Sequence, residues 1–121
     1  MQGNTDIQII NHINEHIQKI NNIISKFNSF ENFINSSVEQ DALLFNFLQI
    51  GENIKCLSKE FRDLYPEVPF RKIAGVRDII VHGYSNVNIE KIYKYAKIDI
   101  PELSVFVNKI LSNILQEDFN L

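Results

Sequence analysis

Ile10-Asn11-His12-Ile13-Asn14-Glu15-His16-Ile17-Gln18-Lys19-Ile20-Asn21-Asn22-Ile23-Ile24-Ser25-Lys26-Phe27 is the stretch that decides the fold. Ile10, Ile13, Ile17, Ile20, Ile24 and Phe27 recur at alternating steps of three and four, which places them all on one stripe of a helix. The spacing predicts a first helix over residues 5–28. Thr5 with Gln8 three positions on is a capping-box pattern that would mark its start, because hydroxyl and amide can satisfy two orphan backbone donors.

The same spacing returns in Leu43, Phe47, Ile50, Ile54, Leu57, Phe61 and Leu64, preceded by Ser36 and Ser37, either of which can cap, so a second helix is expected over 37–64. Tyr65-Pro66-Glu67-Val68-Pro69 cannot continue it, since proline has no backbone donor and restricts its predecessor. Ile73, Val76, Ile79 and Ile80 then fit a short third helix from Phe70 to His82, stopped by Gly83. Asn88 is placed to cap a fourth, with Val87 and Ile92 as its hydrophobic staple and a stripe from Ile89 to Ile114. Pro101 should kink or split that helix between Ile98 and Pro101.

No window of period-two alternation competes, so the fold class is all-α. Stripes of this kind joined by short loops imply an up-and-down four-helix bundle with a short third helix and a kinked or split fourth. At 121 residues, 45% hydrophobic and 22% charged, the chain suits one domain over 1–121 and excludes a low-complexity segment. It has no run of about 18 apolar residues, and its beginning lacks the basic and apolar regions of a signal peptide, so a cytoplasmic protein without a membrane segment is expected. The single cysteine, Cys56, can form no intrachain disulfide and reads as a bystander.

The net charge of -3 argues against coating nucleic acid by bulk positive charge. A local patch stands out nevertheless: Lys55, Lys59, Arg62, Arg71, Lys72 and Arg77 against Glu60, Asp63 and Glu67 give +3 between positions 55 and 77, leaving -6 elsewhere. Two strings could carry chemistry. His12-Ile13-Asn14-Glu15-His16 matches the H-x-x-E-H pattern of one metalloprotease class, yet no third ligand follows, and a solvated helix face is the expected reading, with no metal.

The second string is Arg77-Asp78-Ile79-Ile80-Val81-His82-Gly83-Tyr84. Metal-free RNA hydrolysis needs a base near neutral pH for the 2′-hydroxyl, an acid for the 5′-oxygen and a permanent cation on the phosphoryl oxygens, and histidine and arginine can supply these. In the plain structural alternative Arg77 pairs with Asp78 or a neighbouring helix, His82 caps the helix and Tyr84 packs in the next turn. Positions five apart differ by about 140° on a helix, so Arg77 and His82 of one chain need not converge. Two copies across a twofold axis would bring both pairs to one cleft, and the small Ala74-Gly75 step would permit that approach, although Gly75 could equally serve packing within the chain.

Arg77, His82 and Tyr84 in R-x4-H-x-Y spacing sit among Gln49-Ile50-Gly51-Glu52, Tyr65-Pro66-Glu67-Val68-Pro69-Phe70, Ile73-Ala74-Gly75-Val76-Arg77 and Ile98-Asp99-Ile100-Pro101-Glu102-Leu103. Together these phrases resemble the HEPN domains, and within them the HepT-like ribonuclease toxins, a resemblance that covers the chain from about Asp6 to Leu115. The resemblance implies a homodimeric, metal-independent endoribonuclease without a cofactor, acting on RNA with Arg77 and His82 as catalytic residues in a composite dimer site contacted through the third and fourth helices. It further implies the toxin of a toxin-antitoxin pair, neutralised when an MntA-like nucleotidyltransferase antitoxin transfers AMP to Tyr84. Glu52 and Asp78 would be supporting residues, with Gly51 and Glu52 lining or bracing the cleft, although Glu52 could equally pair with Arg77 as structure. Many relatives have Asn where this chain has Asp78, whose charge could pair with Arg77 and weaken its hold on phosphate. The alternatives are a non-catalytic HEPN module that binds RNA or nucleotide beside a nucleotidyltransferase, and a purely structural dimeric bundle.

Overall fold

The computed structural model describes residues 2–119, apart from the side chains of residues 2–4, 84 and 117–119. The isoleucine stripe builds its centre. Helix α1 (Gln2–Ser25) turns Ile10, Ile13, Ile17 and Ile20 fully inward against Leu43, Phe47, Ile50 and Ile54 of α3 (Ser37–Cys56). Pairs along this seam fix the direction: Asp6 meets Ser58 just beyond the end of α3, and His16 meets Asn46 in its middle, so the helices are antiparallel. On its other side α1 packs against α7 (Ile100–Phe119), and α5 (Phe70–His82) packs on α3. The segment after α5 lies against the start of α3 in a cleft lined by Gln40, Leu44, Ser85 and Val87 among others, so α5 also runs antiparallel to α3. The result is the expected all-α, up-and-down four-helix bundle with a short third member.

Three details differ from the sequence reading, and a fourth gives an expected feature its form. First, α1 is already helical from Gln2, so Thr5 and Gln8 lie inside it rather than at its start. Buried Asp6 explains why: its carboxylate accepts from the Ser58 backbone N–H at 2.8 Å and the Ser58 hydroxyl at 2.7 Å, and this tertiary tie holds the first turns. Second, the helix expected over 37–64 breaks at Leu57, which is extended, and restarts as α4 (Lys59–Leu64). Ser58 caps α4, its hydroxyl accepting from Phe61 N–H at 3.0 Å. Leu57 and Phe61 stay buried across the break, whereas Leu64, the last residue of the expected stripe, is exposed. At the other end of α3, Ser36 holds the N-cap position.

Third, a short helix α2 (Phe30–Ile34), capped by Ser29, bridges α1 and α3. It carries fully buried Phe33 into an aromatic cluster with Phe27, Phe30 and Tyr93, with ring centroids 5.0–6.4 Å apart. Fourth, the fourth limb divides into α6 (Ile89–Lys94), a π-helical turn (Tyr95–Asp99) and α7. Pro101 has no N–H, and just before it the ladder widens so that Ile100 N–H reaches Tyr95 C=O. This is the expected split, in the form of a π turn. Asn88 caps α6 as expected, its side-chain oxygen accepting from Lys91 N–H at 3.2 Å. Gly83 closes α5, its N–H bonding Ile79 C=O at 3.1 Å, and a 3₁₀ turn (Tyr84–Asn86) follows. Lys72 of α5 reaches Asp99 in the π turn at 2.7 Å, tying the edge helix to the fourth limb. Among the described residues no helix is long and apolar enough to cross a membrane.

Asp6→Ala should leave the two Ser58 donors without their acceptor and cost about 1–3 kcal/mol. Urea unfolding should show a lower midpoint at unchanged slope.

Candidate active site

Helix α5 presents Arg71, Gly75, Asp78 and His82 at steps of four, three and four, one continuous stripe on the side away from the core residues Ile73, Val76 and Ile80. His82 is exposed in the last turn and has no hydrogen bond or ion pair among the described residues. It therefore does not cap the helix through its side chain. A Cβ added to Gly75 would meet nothing within 4 Å among the described residues, so no side chain there requires a glycine at this position.

Arg77 faces α3 instead. The two helices approach so closely there that a Cβ on Gly51 would overlap the Arg77 Cβ and lie 2.7 Å from its Cγ. The arginine stem is thereby wedged at the crossing, and its guanidinium emerges between two carboxylates. Nη2 donates to Glu52 Oε2 at 3.2 Å, and Nη1 to Asp78 Oδ1 at 3.1 Å. The same Asp78 oxygen accepts from Lys55 Nζ at 2.7 Å. The Lys55 ammonium and, after it, the Arg77 guanidinium hold the Asp78 carboxyl below its usual range. Because that pKa is depressed, both pairings are in place near neutral pH and are lost only as pH falls through the lowered value.

The structure thus joins three of the sequence-predicted site residues, Arg77, Asp78 and Glu52, and leaves His82 apart from them on the same chain. Tyr84 stands on the 3₁₀ turn two residues beyond His82, and its side chain lies outside the described residues. Sequence reasoning counted Lys55 only as part of a basic stretch. Its signal was its position three residues after Glu52, on the same face of α3, so that a Glu-Lys pair meets an Arg-Asp pair across the Gly51 contact. The basic stretch is itself largely neutralised: Lys55, Lys59, Lys72 and Arg77 pair with Asp78, Asp63, Asp99 and Glu52. Arg62 and Arg71 have no ion pair among the described residues.

The histidine pair of α1 is arranged differently from the expected solvated face. His16 is half-buried, and its Nδ1 lies 2.8 Å from Asn46 Oδ1. Asn46 turns its amide nitrogen to Ala42 C=O at 2.8 Å, so the oxygen is the acceptor and His16 carries its proton on Nδ1. His12 is exposed near Glu15 at 3.7 Å. Among the described residues no group of three or more His, Cys, Asp or Glu is gathered as a metal site would require.

By its match to a family model this small all-α bundle is a domain of HEPN type. More narrowly, the chain belongs to the ribonuclease HepT-like family, whose model matches residues 13–110. It is 35% identical over 91 residues to a Methanocaldococcus jannaschii protein named "Putative RNase", covering 75% of each chain. A Caldanaerobacter subterraneus subsp. tengcongensis protein of the same name is 41% identical over 83 residues, 69% of this chain and 74% of that one. A "Probable ribonuclease HepT" of Thermococcus cleftensis is 36% identical over 74 residues, 61% of this chain and 67% of that one. No solved structure gives a significant match.

Gly51→Ala should force α3 and α5 apart at Arg77 and cost about 1–3 kcal/mol, as overpacking does. A lowered melting temperature with retained helical circular dichroism is the expected result.

Proposed function

We propose that this protein is a metal-independent endoribonuclease with a composite active site made by two copies of the chain. The observation that supports this best is the stripe Arg71, Gly75, Asp78 and His82, exposed at its two ends and half-buried between them, with a glycine whose missing side chain would meet nothing among the described residues. Two such stripes meeting across a twofold axis bring each His82 toward the other chain's, flanked by both Arg77 side chains. One imidazole removes the proton of a ribose 2′-hydroxyl, whose oxygen attacks the adjacent phosphorus. The other, protonated, gives its proton to the departing 5′-oxygen, leaving a 2′,3′-cyclic phosphate and a 5′-hydroxyl. The arginines hold the charge that develops on the non-bridging oxygens.

Family membership supports RNA as substrate, and the role assigned is that of the toxin in a toxin-antitoxin pair. Its regulation follows from Tyr84. The phenol oxygen attacks the α-phosphorus of ATP held by an MntA-like nucleotidyltransferase antitoxin, pyrophosphate leaves, and a phosphodiester charge then sits beside the cleft where substrate phosphate must bind. The pairing of Arg77 with both Glu52 and Asp78 favours a second reading, a non-catalytic HEPN module that binds RNA or nucleotide.

Cleavage of a labelled single-stranded RNA in the presence of a chelator tests the assignment. His82→Ala and Arg77→Ala should each lower the rate by about 10² to 10⁴ with unchanged circular dichroism. An inactive parent that still binds RNA would support the binding module instead. Gly75→Gln, harmless to the isolated helix, should shift sedimentation from dimer toward monomer and reduce cleavage in parallel. Tyr84→Phe should cleave normally yet gain no AMP mass when incubated with the antitoxin and ATP.

A further inference from the structure

We infer that Lys55 is a positioning residue for Arg77: by holding the Asp78 carboxylate it keeps the arginine open to a substrate phosphate. The inference rests on the reading of Arg77 as the phosphate-holding cation. One oxygen, Asp78 Oδ1, is shared by Lys55 Nζ at 2.7 Å and Arg77 Nη1 at 3.1 Å, and the shorter contact belongs to the lysine. Glu52 takes the other guanidinium nitrogen at 3.2 Å. Arg77 with Glu52 and Asp78 alone would be a cluster of net charge -1, which repels a phosphate. Adding Lys55 brings the sum to zero.

The two cations lie on different helices, Lys55 on α3 and Arg77 on α5, and Gly51 sets their register by letting the helices touch. The lysine therefore reaches the Asp78 carboxylate from α3, the helix opposite the one that carries Arg77. A flexible lysine with a point charge can hold the Asp78 oxygen while the guanidinium turns toward a phosphate, so that the carboxylate need not follow the arginine. Side chains of Lys55 and Asp78 are both a little under half exposed, so the pair is screened by salt and the effect is tunable by it.

Full-length Lys55→Met, Lys55→Arg, Asp78→Asn and the double variant Lys55→Met/Asp78→Asn are compared in cleavage of a fluorescent single-stranded RNA oligonucleotide with chelator. They are also compared in binding of the 2′-O-methyl version of the same oligonucleotide, which lacks the nucleophile. Lys55→Met should lower kcat/KM about tenfold, mainly through KM, and weaken binding to a similar degree. Lys55→Arg should stay within about twofold of the parent, and Asp78→Asn should bring the double variant back to within about threefold. The gap between parent and Lys55→Met should close in about 1 M salt, where the screening length is about 3 Å.

A double variant no better than Lys55→Met would overturn the inference, because Lys55 would then touch the substrate or only brace the helices. Unchanged cleavage and binding by Lys55→Met would overturn it equally. Failure of the underlying reading looks different: Arg77→Ala would retain parental cleavage and binding. If the parent itself does not cleave, the binding series alone decides the role of Lys55.

Discussion

The close approach of α3 and α5 at Gly51 and Arg77 is the contact on which the site depends. Helix axes are ordinarily held apart by side chains at the crossing, and here one of those side chains is missing. The stem of Arg77 occupies the space, which immobilises its first carbons and leaves only the outer part of the side chain free. The same contact sets the register that lays Lys55 against Asp78 and Glu52 against Arg77. A shift of one turn along either helix would part Lys55 from Asp78 and Glu52 from Arg77.

The frame that holds this contact is built from the inside out. Helix α1 lies between α3 and α7, so its isoleucines are enclosed on two sides, while α5 packs mainly on α3 and keeps a free face. Ile79 and Val81 are each nearly half exposed on that edge helix, which a fully enclosed helix would not allow. Elsewhere the chain interrupts its helices to keep apolar residues in line. The break at Leu57 turns Phe61 back onto the core, and the π turn inserts one extra residue per turn so that Ile92, Ala96 and Ile100, each four apart, all remain buried.

Periodicity exposed the four long helical stretches because each one's burial is decided by a stripe visible in a single segment. It could not expose the break at Leu57, since Leu57, Phe61 and Leu64 continue the same spacing whether or not the backbone turns between them. Thr5 and Gln8 offered a local cap that a distant contact, Asp6 with Ser58, overrode. Phe30 and Phe33 form too short a run to show a period, and their helix is fixed by aromatic contacts with Tyr93 some sixty residues on. At the site, Arg77, His82, Glu52 and Asp78 could be picked out by residue type and resemblance. The partnership of Lys55 with Asp78 could not, because it exists only once α3 and α5 are in register. The half-buried His16 was misjudged for the same reason: its partner, Asn46, lies on another helix.

Charge gives the site its remaining constraint. The chain carries -3 overall, and a two-copy assembly carries twice that, so the mean field of the protein repels RNA and does not steer it in. Of the lysines of the basic stretch, Lys55 and Lys72 are spent on carboxylates of other elements and Lys59 on Asp63 of its own helix, which leaves Arg62 and Arg71 as the cations there without an ion pair among the described residues. Affinity for a phosphate must then come from groups within a few ångströms of it, where contact distance outweighs the screened field of the whole molecule. In that situation the local balance around Arg77 counts for more than the global one. One carboxylate left uncompensated beside the guanidinium would cancel the single contact that the rest of the surface cannot replace, and a phosphodiester added at the nearby turn would act in the same direction. A protein that binds a phosphate against its own net charge is therefore sensitive to single charges at the cleft.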